Sequence, residues 1–188
     1  IQKTKLENVE VSSSNVITSI NGVDINELNK LEQEREDEKN KIMLELMHNA
    51  FEEYRHSIYS SSALDETVDT VVAGFSAGAK SLILYNEYQE AVAMVRFTID
   101  QGYLYFFRLA VKQSAQGKGY SKQLLLELEK IAKFNKLPYL TCEVRSNNPR
   151  NIQLYTKLGY VEVESKIVKQ TADNVIKLLT MAKKLVDA

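Results

Sequence analysis

The chain has 188 residues, 44% hydrophobic and 26% charged, with a net charge of −1. That length suffices for one domain with a sizeable core, and the balance is that of an ordinary globular protein. The charge argues against a nucleic-acid partner, no apolar run has membrane-spanning length, no signal peptide is visible, and the single cysteine, Cys142, excludes an intrachain disulfide and a cysteine-rich zinc site.

Two histidines leave little material for any other metal site, and the sparse cysteine fits a reducing cytoplasm. "LENVEV" and "NVITSI", separated by "SSSN", predict two short strands around a turn. Asp24 is the expected N-cap of the helix that follows. From Glu27 to Lys41 the residues are nearly all polar, with opposite charges interleaved. This reads as a solvated helix face held by i,i+4 ion pairs, with a partner-binding arm as the alternative. From Ile42 the pattern turns amphipathic, with Leu46, Ala50 and Tyr54 spaced by four. "SALDETVDTVVAGF" predicts a second short helix, capped by Ser62 and followed by Gly78, with Val68, Val71, Val72 and Phe75 on one face.

The period then changes from near four to two. "SLILYN", "EAVAMVRFTID" and "GYLYFFRLAV" are rich in β-branched and aromatic residues, and "NEYQ" and "DQG" break them. Short breaks predict an antiparallel meander of three strands. A glycine loop follows, then a helix over "SKQLLLELEKIAKFNK" with Leu124, Leu125, Leu128, Ile131 and Ala132 in one stripe. Pro138 precedes another strand, "YLTCEVR". In "NPRNIQLYTKLGY", Asn148 is the expected N-cap, Pro149 suits the first helical position, and Gly159 the residue past the end. "YVEVESKIV" and "VIKLLTMAKKL" predict a closing pair of strands. The whole reads as one α+β domain over residues 1–188, with a charged helical segment at about 24–41.

The loop "KQSAQGKGY" places Gly117 and Gly119 around Lys118, between a strand ending at Val111 and a helix. The first turn of that helix offers N–H groups with no intrahelical partner, and the helix dipole adds positive charge there. Glycines allow close backbone approach, and Lys118 adds a full charge. Together they suit a pyrophosphate. A tight loop with a glycine at each awkward angle is the other explanation. The spacing fits neither a Walker A loop nor a dinucleotide fingerprint.

"LAVKQSAQGKGYSKQLLLELEKIA" resembles the acetyl-coenzyme A signature of the GNAT N-acetyltransferase superfamily, whose loop runs Gln/Arg-x-x-Gly-x-Gly/Ala. Gln116 takes the first position, Gly119 the fourth, and Ser121 stands at the sixth, where glycine or alanine is usual. "EVRSNNPRNIQLYTKLGY" resembles the family's downstream segment. There Asn148, Leu154, Tyr155, Gly159 and Tyr160 fall in register, and Asn151 replaces the usual alanine. The match runs from about Ser81 to Val163, and the charged segment before it has no counterpart.

The resemblance implies a mixed, mostly antiparallel sheet flanked by helices and splayed open between the strand ending at Val111 and "YLTCEVR". Acetyl-CoA as co-substrate would lie in the opening. Backbone groups of Leu109, Ala110 and Val111 would pair with the pantetheine arm. Amides from Gln116, Gly117, Lys118, Gly119, Tyr120 and Ser121 would hold the pyrophosphate, with Asn148 and Asn151 beside the cofactor. Tyr155 maps onto the family's frequent general acid, although packing alone would also account for its ring. Capping alone would account for Asn148.

By the same resemblance the acceptor would be a primary amine of unnamed identity, attacked directly in a ternary complex, and no nucleic acid or membrane is expected to be involved. The resemblance leaves a homodimer open. Candidates for the base are Glu143, Glu90, Tyr54 and Tyr105, or a water chain in place of any side chain. Cys142 reads as a buried structural thiol, His48 as bland, and His56 as a residue that could approach the acceptor. The alternatives to an enzyme are a non-catalytic acetyl-CoA sensor or scaffold, and an interaction protein working through its charged helix.

Overall fold

The computed structural model describes residues 9–11, 17–20, 23–55, 61–169 and 175–185. The chain divides into two units at Lys41 and Ile42.

In the first unit, strands β1 (Val9–Val11), β2 (Ile17–Ile20) and β3 (Val23–Asp24) form a small antiparallel sheet. The two expected strands are therefore present, and the turn between them lies outside the described residues. Helix α1 (Ile25–Phe51) starts as expected: Asp24 Oδ1 accepts the amide of Asn26 at 2.7 Å. Its charged stretch is exposed from Glu32 to Glu38, with Lys30–Glu34 and Lys39–Glu36 ion pairs along it.

The second unit begins at the amphipathic end of α1, continued by a 3₁₀ turn at Glu52–Tyr54. The next helical stretch is split. A 3₁₀ turn at Ser62–Asp65 precedes α2 (Val68–Ser76). Ser62 is not the cap. Ser61 accepts the Ala63 amide, and Thr67 and Thr70 form a reciprocal capping box for α2. The break follows from Asp65-Glu66-Thr67, where a side-chain cap outcompetes helix continuation. Val71 is buried, while Val72 is exposed, so the apolar face is narrower than the spacing predicted.

Strands β4 (Lys80–Tyr85), β5 (Ala91–Asp100) and β6 (Tyr103–Val111) form the expected antiparallel meander. Helix α3 (Tyr120–Phe134), β7 (Tyr139–Arg145), α4 (Pro149–Lys157), β8 (Val161–Lys169) and β9 (Val175–Lys184) complete the unit. The sheet order is β4-β5-β6-β7-β9-β8, antiparallel except for the β6–β7 pair, and open at both edges. This is the α+β architecture that the sequence predicts.

Both faces of the sheet are covered. Leu124, Leu125, Leu128 and Ala132 of α3 pack with Tyr155 of α4 onto Val95, Phe106, Leu140 and Cys142. On the other face, Met43, Leu46 and Met47 of α1 and Val71 of α2 pack onto Met94 and Ala110. Burial on both faces explains why β5 is apolar from Val92 to Val95 without alternation.

Candidate active site

The two strands flanking the glycine loop part company. β6 pairs with β7 only over Tyr103–Tyr105, opposite Tyr139–Thr141. On its other side β6 stays zipped to β5 as far as Val111, and the Lys112 amide still reaches Val92 O at 2.9 Å. From Phe106 to Val111, β6 therefore has no β7 partner. Leu109, Ala110 and Val111 border the resulting wedge.

The wedge ends at the glycine loop. Gly117 and Gly119 have φ of +81° and +83°. That is the left-handed region glycine enters without strain, and an added Cβ at either would meet nothing within 4 Å. Gly119 is the N-cap of α3, so the amides of Tyr120, Ser121 and Lys122 head its first turn without helical acceptors. Lys118 is exposed, while Tyr120 packs its ring against the α3 core and leaves only its backbone for a ligand. Gln116 is turned inward. Its Nε2 reaches Val111 O at 3.5 Å, and its Oε1 accepts from Arg150 Nη2 at 2.9 Å. Arg150 thus joins the loop from the start of α4, a residue the motif reading passed over. Its place after Pro149 in "NPRN" was the available signal.

Asn148 is the N-cap of α4. Its Oδ1 accepts the Asn151 amide at 3.1 Å, and its Nδ2 donates to Tyr54 Oη at 3.1 Å. Asn151 is half-buried beside it. Tyr155 lies one turn on, 5% exposed, with its ring 5.7 Å from Phe106 and from Tyr160. Phe106 directly follows the last β6 residue paired with β7, so Tyr155 sits at the apex of the wedge. Burial raises its pKa well above 10.0, which keeps the phenol protonated.

The base candidates differ in setting. Glu143 is ion-paired with Lys166 across β9. Glu90 is exposed and accepts from Asn86 within the β4–β5 turn. Burial, with help from Glu143, pushes Tyr105 up to about 12, and burial first, then Glu53, raises Tyr54. Neither phenol is a ready base at neutral pH. His48 bonds the Glu66 carbonyl at 3.1 Å, and His56 lies outside the described residues. Cys142 is buried, and burial raises its pKa, as expected of a structural thiol. Among the described residues, no group of acidic, histidine and cysteine side chains has metal-binding geometry, and no helix is long and apolar enough to cross a membrane. A concavity of about 490 Å³ between β4 and α3, with Gln123, Glu127 and Lys130 in its wall, includes no wedge residue.

The sequence model of the acetyltransferase (GNAT) family matches residues 41–160. The chain belongs to that family. It is an acyltransferase, with acetyl-CoA as the co-substrate of its class. No curated protein sequence matches significantly. Among solved structures, the ribosomal-protein-S18-alanine N-acetyltransferase from Escherichia coli is similar, with a TM-score of 0.60 and 20% identity over 76% of this chain and 88% of that one. An N-acetyltransferase from Staphylococcus aureus Mu50 gives 0.65 and 18%, over 79% and 93%. The yncA protein of Salmonella typhimurium, solved with its cofactor acetyl-CoA, gives 0.64 and 18%, over 81% and 91%. At these identities the likeness is one of fold.

Proposed function

We propose that this acetyltransferase moves the acetyl group of acetyl-CoA to a primary amine by direct attack within a ternary complex. The observation that carries the reading is the parting of β6 from β7 beside a left-handed glycine pair at the start of α3. The open edge at Leu109, Ala110 and Val111 offers backbone partners to an extended amide-bearing arm. A backbone N–H near Val111 is placed to stabilise negative charge developing on the thioester oxygen. The amides from Gln116 to Ser121 form the cradle for the pyrophosphate, assisted by the α3 dipole. Arg150, held on Gln116, adds a cation beside it.

Tyr155 serves as the proton donor to the departing thiolate. Its position at the apex of the wedge and its raised pKa both suit an acid rather than a base. Proton loss from the amine falls to water or to Glu143, which first has to be released from Lys166. Asn148 and Asn151 set the start of α4 and so the height of Tyr155. Thiol release during incubation with acetyl-CoA and a panel of amines tests the reading. Amine-dependent release with an acetylated product supports it; tight acetyl-CoA binding with no turnover on any amine contradicts it.

A further inference from the structure

The two edges of the six-stranded sheet are finished differently. β4 closes one edge and is half-buried from Ser81 to Leu84. β8 closes the other, and every residue from Val161 to Val168 is exposed, so neither face of the strand is covered. Val161, Val163 and Ile167 are 62%, 59% and 72% exposed. Among the described residues β8 pairs with β9 alone, which leaves one row of its amides and carbonyls without a ladder. A bare edge of nine residues with aliphatic side chains in water is a template for another strand. Proteins usually blunt such an edge with charge. Here the order of the charges decides what the edge repels and what it accepts.

The sequence of β8 is self-complementary about Ser165. In an antiparallel register centred there, Ser165 falls opposite its own copy, Glu164 opposite Lys166, and Val163 beside Ile167. Each unlike pair occurs twice, as a two-fold axis requires. The residue on the axis meets itself. Serine is small, and its hydroxyl both donates and accepts. Glu164 and Lys166 are two apart and share one face of the strand, so opposite charges meet across the seam. Parallel pairing in register would set Glu164 against Glu164 and Lys166 against Lys166. Lys166 keeps its own pair with Glu143 in this arrangement. An ammonium has three N–H donors, that contact takes one, and the side chain is 50% exposed. The strand is regular where the register is centred: Glu164–Lys169 stay in step with Val175–Thr180, and the bulge against β9 lies before them, at Val163.

We propose that β8 is the interface with a second copy of this chain. The two β8 strands pair antiparallel across a two-fold axis at Ser165, and the two sheets join into one. The arrangement covers the exposed aliphatic side chains, gives the bare backbone row its ladder, and satisfies the charge order at every central position. It does not depend on which amine the enzyme acetylates.

Sedimentation equilibrium of the full chain tests the proposal. At about 100 μM the species should have twice the chain mass of 21.4 kDa. Glu164→Lys sets lysine against lysine, and Lys166→Glu sets glutamate against glutamate. Each alone should raise the dimer Kd by roughly tenfold or more. Mixed in equal amounts, the two variants bring opposite charges together at both positions, and the mixed pair should regain a Kd near that of the wild type. A variant that had merely lost its fold would not be rescued by mixing. Ser165→Lys, which sets two cations on the axis, should weaken the dimer likewise and leaves the Glu143–Lys166 pair untouched. A wild-type chain that is monomeric at about 100 μM overturns the proposal. So does a folded Ser165→Lys or Glu164→Lys variant that dimerises as tightly as the wild type, or a mixture of two folded charge variants no tighter than either alone.

Discussion

The two faces of the six-stranded sheet are held by different physics. The α3 face is apolar: Leu124, Leu125 and Leu128 pack on Phe106, Leu140 and Cys142, with the rings of Tyr155 and Tyr160 buried among them. Beyond Met94 and Ala110, the opposite face is tied by Arg96, Arg108 and Glu66. Apolar packing is non-directional and tolerates small adjustments. A buried ion network tolerates none, because each partner removed strands another charge. The difference suits a transferase. On the function proposed above, the apolar face fixes the wedge and Tyr155 beside it, while the opposite face is locked by the Glu66 carboxylate between two guanidinium groups. Even Gly74 belongs to the charged face: a Cβ there would run into Arg96 Nη2, so the helix keeps a glycine that otherwise costs it about 1 kcal/mol.

The largest effect should come from breaking the charged face. Glu66→Ala leaves the buried Arg96 uncompensated and should cost about 3–5 kcal/mol in urea unfolding, against the fraction of a kcal/mol expected of an exposed pair such as Lys30–Glu34. A loss below about 1 kcal/mol would mean that water solvates the arginines once Glu66 is gone and that the network is not sealed.

Next comes the wedge. Gly119→Val forces a β-branched residue to a φ of +83° and places methyl groups where phosphate would meet backbone. Acetyl-CoA affinity by calorimetry should fall by roughly a hundredfold, with some loss of stability from the backbone strain.

The apolar face has its own signature in alkali. Burial raises the pKa of Cys142 above 9.0 and those of Tyr155 and Tyr160 above 10.0. The unfolded chain releases these protons near the ordinary values, and the folded chain retains them. Over that window the folded state binds more protons, so stability is full below about pH 9 and falls as pH rises. Tyr160→Phe should make the fall in Tm shallower above about pH 10. An unchanged slope would mean that the ring is not sealed.

The smallest effect is expected of Lys118→Ala. The side chain is exposed, so its charge is screened and the backbone amides carry the grip. Affinity should change by less than about 1 kcal/mol.

The apolar face was legible because its signals are local. An apolar, β-branched run marks β5, alternation marks β6, and the 3.6-residue period, with Asn148, Pro149 and Gly159 as punctuation, marks α3 and α4. The strand partings followed from the family resemblance rather than from any pattern. The charged face was not legible. Glu66 meets Arg96 and Arg108 across 30 and 42 residues of sequence, and no spacing rule encodes such partners. The cap was misplaced by one residue at Ser62 because adjacent serines are equivalent until the backbone chooses between them, and Ser61 takes the role. The bulge at Arg108, where β6 shifts register against β5 and φ is +54°, leaves no trace in composition, since the residue there is neither Gly nor Asn.

The central claim, that Tyr155 is the proton donor in a wedge built for acetyl-CoA, is tested most directly by Tyr155→Phe. The ring contacts with Phe106 and Tyr160 remain, and one hydroxyl is lost. Kinetics on the folded variant should show kcat lower by roughly tenfold to a thousandfold, with acetyl-CoA affinity unchanged. The alkaline limb of the pH–rate profile should keep its position, because burial holds the phenol protonated beyond 10.0. A variant with wild-type kcat and wild-type acetyl-CoA affinity would contradict the account and leave Tyr155 as a packing residue.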